Sequence, residues 1–478
     1  MSDNTQFSLD QLSLESLLAG LRNAGEATRL RLLALLADGE LTVKDATVIL
    51  GQSQPRISRH LKLLTEAGLV QRFPEGAWVF YRLGDGAMGD LVRLLLANRA
   101  DPALRPEAML FWQSRNRYRS TEIALAVADR YKALDLPVGV LVIDYKNQVH
   151  DGDFAPNPAC YPSVKALADG VRAKLNATTV FSFWPEVLKE AGEYGALDAA
   201  GCLINDDLSG RAVDPTPAHC REMIWEKYLK PRYFDEGVSA YWLDETDGEG
   251  TGIGDGDHGY DTSFGPAAFA SNLWVGDWLR TFSEPVAAAG ETPLVLTRGV
   301  WAGGQRHGVV LWSSDIWSTF ETLAAMVPQG VHASMSGIPW WTTDVGGYGC
   351  GVSPPNDQPY MRELIVRWYQ FGLFSPIFRT HGCRSGPSEP DVDPCHTQYG
   401  SCGENEVWSY GDSVQALLEK YIKLRATRLL PYIRELAANV TTFGVPTMRP
   451  LSYDFPSDDG AARVSRWCRP FAYRMITA

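Results

Sequence analysis

Ser239-Ala-Tyr-Trp-Leu-Asp244 is a short apolar and aromatic run that ends on a carboxylate. A run of this length, bounded by polar residues, suits a strand buried on both faces. The same pattern recurs at Met109–Trp112, Val138–Asp144, Thr178–Trp184, Pro293–Arg298, Val309–Asp315, Ile338–Asp344 and Ser375–His381. Helical periodicity fills most of the intervals, as in Thr121–Leu134, Ser163–Lys174, Arg221–Leu229 and Phe264–Phe282. Regular strand–helix alternation predicts a parallel (β/α)8 TIM barrel over residues 108–440.

Barrels of this kind carry their chemistry at the C-terminal ends of the strands. The runs end on Asp144, Trp184, Asp244, Arg298, Asp315, Asp344 and His381. Carboxylates and aromatic rings gathered in this way point to a glycan-cleaving site, because two carboxylates flanking a glycosidic bond suffice for its hydrolysis. One of the two must stay ionised and needs donors or cations beside it. The other must keep its proton near neutrality and needs a drier or more negative setting. Any single strand-end Asp is more often a cap or an ion-pair partner, and any single Trp more often core.

Upstream of the barrel the pattern changes. Residues 101–107 form a polar, proline-bearing link, and residues 12–100 read as a separate domain. Leu17–Leu36 has helical spacing and is broken at Asp38-Gly39. Thr42 is placed to cap a short helix, Val43–Leu50. Ser53 is placed to cap a third helix, with Pro55 in its first turn, that runs to about Ala67. On that helix Ile57, Leu61 and Leu64 share one face, while Ser53, Gln54, Arg56, Ser58, Arg59, His60 and Lys62 are polar or basic. Gln and Arg can read base edges, and Ser, Arg and Lys can hold phosphates. Leu69–Phe73 and Ala77–Leu83 around Pro74-Glu75-Gly76 read as a two-stranded wing. The expected N-terminal domain is a winged helix-turn-helix that binds double-stranded DNA; the alternative is a helical cap with a solvated basic face.

The charge balance agrees with a local DNA reader and no more. The chain of 478 residues has net charge −13, and its first hundred residues are neutral by the same count. An acidic chain is a poor non-specific binder of nucleic acid. With 45% hydrophobic and 21% charged residues the composition is globular. No secretory signal or membrane span is expected, so the reading is a cytoplasmic chain whose eight cysteines are reduced, with one reservation at the close-set cysteines of 383–402.

Gly51–Val70, with Gln52-Ser-Gln-Pro-Arg-Ile-Ser-Arg-His-Leu-Lys62 at its centre, resembles the recognition region of the ArsR/SmtB regulators, as does Trp78-Val-Phe-Tyr-Arg82 in the wing. That resemblance implies DNA binding and a possible homodimer through terminal helices such as Leu91–Leu96. The cysteines by which many members sense metal are missing, since no Cys precedes Cys160. The barrel resembles glycoside hydrolase family 31, the α-glucosidases and α-xylosidases. The motifs are Phe111-Trp-Gln-Ser-Arg-Asn-Arg-Tyr118, Leu136–Asp144, Tyr241-Trp-Leu-Asp244, Gly304-Gln-Arg306, Leu311-Trp-Ser-Ser-Asp315, Ser336–Gly347 and Arg367–His381, in family order. The resemblance implies Asp244 as nucleophile and Asp315 as general acid/base of a retaining reaction. It implies Asp144, Arg298, Asp344 and His381 as ligands of sugar hydroxyls, and Trp312 and Phe378 as walls of the subsite. Trp184 is a further substrate-binding candidate. The expected substrate is an α-linked oligosaccharide or glycoside, with no metal and no organic cofactor.

Two local departures stand out. Glu245-Thr-Asp247-Gly-Glu249 follows Asp244 where an acid and Glu-Pro are usual, and Ser314 stands where a glycine is usual. The family's β domains around the barrel are not evident. Residues 441–478 read as the start of a C-terminal β region, and Arg463–Ala478, basic and aromatic without periodicity, suggests a shifted reading frame. Alternative readings are a regulator whose barrel senses sugar without turning it over, and an inactive fusion.

Overall fold

The computed structural model describes residues 14–460, except 77, 87, 90–91, 93–102, 205–209, 248–260, 302, 350–352, 386–401 and 459. Glu249, nearly all of Leu91–Leu96 and the Arg463–Ala478 tail lie outside the described residues. The chain divides into two units, residues 1–100 and 101–478.

In the first unit the expected helix over Leu17–Leu36 is two helices, α1 (Leu14–Ala24) and α2 (Ala27–Asp38). The cause is local: Gly25 interrupts, and the Glu26 carboxylate restarts the helix by accepting the Arg29 backbone N–H at 3.0 Å. A short strand, β1 (Leu41–Thr42), precedes α3 (Val43–Leu50). Thr42 and Asp45 form a reciprocal capping box, and Gly51 ends the helix at φ 62°. The next helix, α4 (Gln54–Glu66), begins with Pro55 in its first turn, but Ser53 makes no side-chain cap. The wing is β2 (Val70–Glu75) antiparallel to β3 (Trp78–Leu83), with β1 added on the far side of β3. Ile57, Leu61 and Leu64 of α4 are buried against Leu32, Leu33, Leu36, Ala46 and Leu83.

In the second unit all eight runs become parallel strands: β4 (Phe111–Gln113), β5 (Val138–Ile143), β6 (Thr178–Phe183), β10 (Ala240–Leu243), β11 (Leu294–Thr297), β12 (Val309–Trp312), β13 (Trp341–Thr342) and β14 (Phe378–Arg379). They neighbour one another in chain order and β14 returns to β4. A single parallel bridge, Val345 to Thr380, joins β13 to β14 and closes the ring. The sequence pattern missed a small antiparallel sheet after β6, made of β7 (Glu186–Leu188), β8 (Leu203–Ile204) and β9 (Gly210–Val213) in the order β7-β9-β8.

Strand alternation sorts the side chains into two layers. Val140, Val142, Val180, Ala240, Trp242, Leu294, Leu296, Val310, Trp312 and Ile377 pack together inside the barrel. Leu141, Ile143, Phe181, Tyr241, Leu243, Val295, Val309 and Phe378 pack outward, under the helices. Continued one step past each strand, the inward parity reaches Asp144, Trp184, Asp244, Arg298 and Asp344. On β14 it runs through Ile377 and Arg379 to His381. Among the described residues no helix is long and apolar enough to cross a membrane.

The reduced-thiol reading is corrected. Cys202 pairs with Cys220 and Cys383 with Cys402, and Cys160 is disulfide-bonded as well. Partners 18 and 19 residues apart in sequence meet because a strand or loop start is folded back onto a helix or the barrel mouth, which spacing alone does not reveal.

Candidate active site

Asp244 stands one residue past β10, half-buried, with Oδ1 accepting the Glu245 N–H at 2.8 Å and ion-paired with Arg298 Nη1 at 3.5 Å. Glu245 adopts φ 53°, a left-handed conformation costly for a residue with a Cβ, and it is this turn that aims its amide at the carboxylate. Burial, joined by the charges of Asp247 and Asp344, raises the Asp244 pKa on balance, and Arg298 and the Glu245 amide oppose that rise. Arg298 is held in turn by Asp247, whose Oδ2 accepts Nε at 2.8 Å.

Asp315 has a different setting. By strict alternation after Trp312 it would face the helices, but Ser314 at φ 62° changes the direction of the chain. Burial, then the charges of Asp344 and Asp244, push Asp315 up to about 7, against Arg298 and Arg379. Asp315 is an exposed residue, and the neighbouring carboxylates act in the same direction as the partial desolvation. Two carboxyls thus share one cleft, one held by a guanidinium and a backbone amide and one able to carry a proton near neutrality.

Asp144 and His381 close another wall. His381 Nε2 lies 3.6 Å from Asp144 Oδ2, and Nδ1 shares a 2.7 Å hydrogen bond with Ser114 Oγ. The imidazole is stacked on Tyr348 and edge-on to Trp242. Burial and the nearby Arg379 and Arg384 hold the His381 pKa well below its ordinary value, so the ring is neutral at physiological pH. Burial and the charges of Asp244 and Asp315 hold the Asp144 pKa well above its own.

Asp344 is fully buried and pairs through Oδ1 with Arg379 Nη1. The Arg379 guanidinium lies over Trp242 at 4.8 Å and Trp312 at 5.8 Å, and these two indoles meet edge to face. Asp344 Oδ2, Arg379 Nε and Nη2, and the Nε1 atoms of Trp184, Trp242 and Trp312 are buried without protein partners. Orphaned donors and acceptors are costly in a core; gathered around a cleft they are what a molecule rich in hydroxyls would satisfy. Trp184 stacks on Tyr145 at 5.0 Å with 11° between the planes, and Lys146 Nζ sits over both rings.

The structure therefore brings together Asp144, Asp244, Arg298, Trp312, Asp315, Asp344 and His381, with Trp184 beside them through Tyr145. Phe378 is corrected: it has the outward parity of β14 and packs in the helix layer against Phe111 and Tyr369. Its neighbour Arg379 faces the cleft instead, and sequence reading missed it along with Ser114, Trp242, Glu245 and Asp247. The alternation of the Ile377-Phe-Arg-Thr-His381 run could have assigned Arg379, since it shares the parity of His381. Among the described residues no metal-ligating cluster falls at this cleft.

On the first unit, Ser53, Gln54, Arg56, Ser58, Arg59 and Lys62 are exposed along one side of α4, and Lys62 pairs loosely with Glu66 at 3.7 Å. His60 departs from this set: its side chain is only 12% exposed and lies 3.6 Å from Glu26, so it faces the start of α2 rather than open solvent. Trp78, at the tip of the wing, is 58% exposed.

Residues 102–436 match the profile of the glycosyl hydrolases family 31 TIM-barrel domain, and residues 26–72 that of the bacterial regulatory protein arsR family. An α-xylosidase of Saccharolobus solfataricus is 31% identical over 387 residues, covering 79% of this chain and 49% of the relative. α-Xylosidase A of Aspergillus niger is also 31% identical, covering 76% of this chain and 53% of its own. The chain spans about half the length of these curated relatives. Among solved structures, a family 31 α-xylosidase from a soil metagenome, complexed with xylose, superposes with TM-score 0.71 at 30% identity, covering 81% of this chain and 58% of the other.

Proposed function

The chain belongs to glycosyl hydrolase family 31, and from that premise we propose that its barrel is a retaining α-glycosidase acting on terminal α-linked xylosyl or glucosyl residues. The carrying observation is the divided electrostatics of the cleft, in which Asp244 is held by Arg298 and the Glu245 amide while Asp315 is pushed to about 7. In the first step the Asp244 carboxylate attacks the anomeric carbon as Asp315 gives its proton to the departing glycosidic oxygen, leaving a glycosyl ester on Asp244. In the second, the Asp315 carboxylate takes a proton from water, the water oxygen displaces Asp244, and two inversions yield net retention. Asp144, Arg298, Asp344 and His381 hold the ring hydroxyls, with Trp312 and Trp184 beside them. The α-xylosidase relatives favour the xyloside over the glucoside.

The test is hydrolysis of p-nitrophenyl α-xyloside and α-glucoside by the full chain beside Asp244→Ala. Turnover with the xyloside preferred, and abolished by the substitution, supports the reading. A folded chain that binds xylose without turning over either substrate would replace the enzyme with a sugar sensor.

A second reading attaches to the first unit. The exposed side of α4, with Gln54, Arg56, Arg59 and Lys62, favours binding of double-stranded DNA in the major groove. A homodimer belongs to this reading, and Leu18 and Leu21, exposed at helical spacing on α1, are apolar residues available to it. A cytoplasmic location goes with it.

A further inference from the structure

Away from the cleft, on the small sheet that follows β6, Cys202, His219 and Cys220 bring two sulfurs and an imidazole nitrogen within 4.8 Å of one another. Both sulfurs are buried and His219 is exposed, so the cluster has an apolar floor and an open side. His219 Nε2 lies 3.4 Å from Cys220 Sγ and 3.1 Å from the Ala200 carbonyl oxygen, and Cys202 Sγ lies 3.7 Å from that same oxygen. A disulfide needs only the two sulfurs. Four convergent donors of S, S, N and O type are more than it uses.

We propose that, when the Cys202–Cys220 bond is reduced, these residues form a tetrahedral site for a divalent transition metal of the zinc type. Zinc takes thiolate at about 2.3 Å and imidazole at about 2.0 Å, which sets donor–donor edges of roughly 3.4–3.8 Å. Three edges of the cluster already lie close to that range. The sulfur–sulfur edge has to open, and Cα atoms 5.4 Å apart let the two side chains swing apart with little backbone movement. The chemistry balances: a dithiol reductant gives two electrons and two protons to the Cys202–Cys220 bond and closes to its own disulfide. The two thiols then release their protons to water as the dication binds, so two thiolates, a neutral imidazole and a carbonyl or water surround a charge of +2. The ligands tie the start of β8 to the helix Ala218–Ile224. A metal there would keep that link in a reducing compartment, where disulfides are not maintained and where a DNA-reading unit would work.

The test uses the full chain with Co2+ as the probe. After treatment with a dithiol, one equivalent of Co2+ is expected to give a thiolate-to-cobalt charge-transfer band that Zn2+ abolishes, and the oxidised chain gives none. Cys202→Ser is expected to remove the band. His219→Ala, an exposed position that leaves the fold intact, is expected to weaken Co2+ binding about tenfold or more. A reduced chain with native circular dichroism and no band overturns the proposal. So does a band that survives Cys202→Ser, or one whose affinity is unchanged in His219→Ala.

Discussion

At the scale of single residues, the chemistry rests on two left-handed turns, Glu245 and Ser314, set beside the two proposed catalytic carboxyls. Because Asp315 is pushed to about 7, kcat/KM is expected to fall tenfold per pH unit above about pH 7 as its proton is lost; a flat profile through pH 9 would remove it as the acid. The same shift has a stability sign. The folded chain binds this proton more tightly than the unfolded chain, so stability declines as pH rises from about 4 to about 7 and then levels. Urea unfolding of Asp315→Asn across that window is expected to show a smaller decline. Ser314 carries backbone strain that a glycine would not. Ser314→Gly is therefore expected to raise stability by about 1 kcal/mol, read as a higher urea midpoint at unchanged slope.

At the scale of elements, the barrel closes at its thinnest seam. β13 and β14 are two residues each, joined by one bridge and by the buried Asp344–Arg379 pair. Removing one partner of such a pair leaves a buried charge alone, so Arg379→Leu is expected to destabilise the barrel by about 3–5 kcal/mol. Denaturant titration of the variant checks this, and a loss below about 1 kcal/mol would mean that water reaches the seam. On α4, Arg59 is exposed beside Arg56 and Ser58. Arg59→Ala is expected to weaken duplex binding and, if it holds a phosphate, to reduce the slope of log affinity against log salt by about 1, as read by anisotropy titration at several salt concentrations. Affinity unaltered at every salt concentration would take α4 out of the interface.

At the scale of the whole molecule, the two units have separate hydrophobic cores. One is built around Leu32, Leu36, Ile57, Leu61 and Leu64, the other in the two layers of the barrel. Calorimetry of the full chain is expected to show two transitions, with Leu64→Ala lowering only one of them, by about 2–5 kcal/mol of unfolding free energy; a single cooperative transition shifted as a whole would show the units to be coupled. The sequence by itself determined the eight strands, their chain order, helical patterns between most of them, the cap at Thr42, and the carboxylates at the strand ends. All of these rest on contacts between residues a few positions apart, or on short apolar runs bounded by polar residues. The tertiary structure alone decided which parity faces inward, and so exchanged Phe378 for Arg379 in the cleft. It also decided the inward turn of His60, the pairing of the cysteines and the different surroundings of Asp244 and Asp315. These depend on which distant groups come to share a low-dielectric space, and the pull of Asp344 on Asp315, or of Arg298 on Asp244, exists only once the barrel has closed.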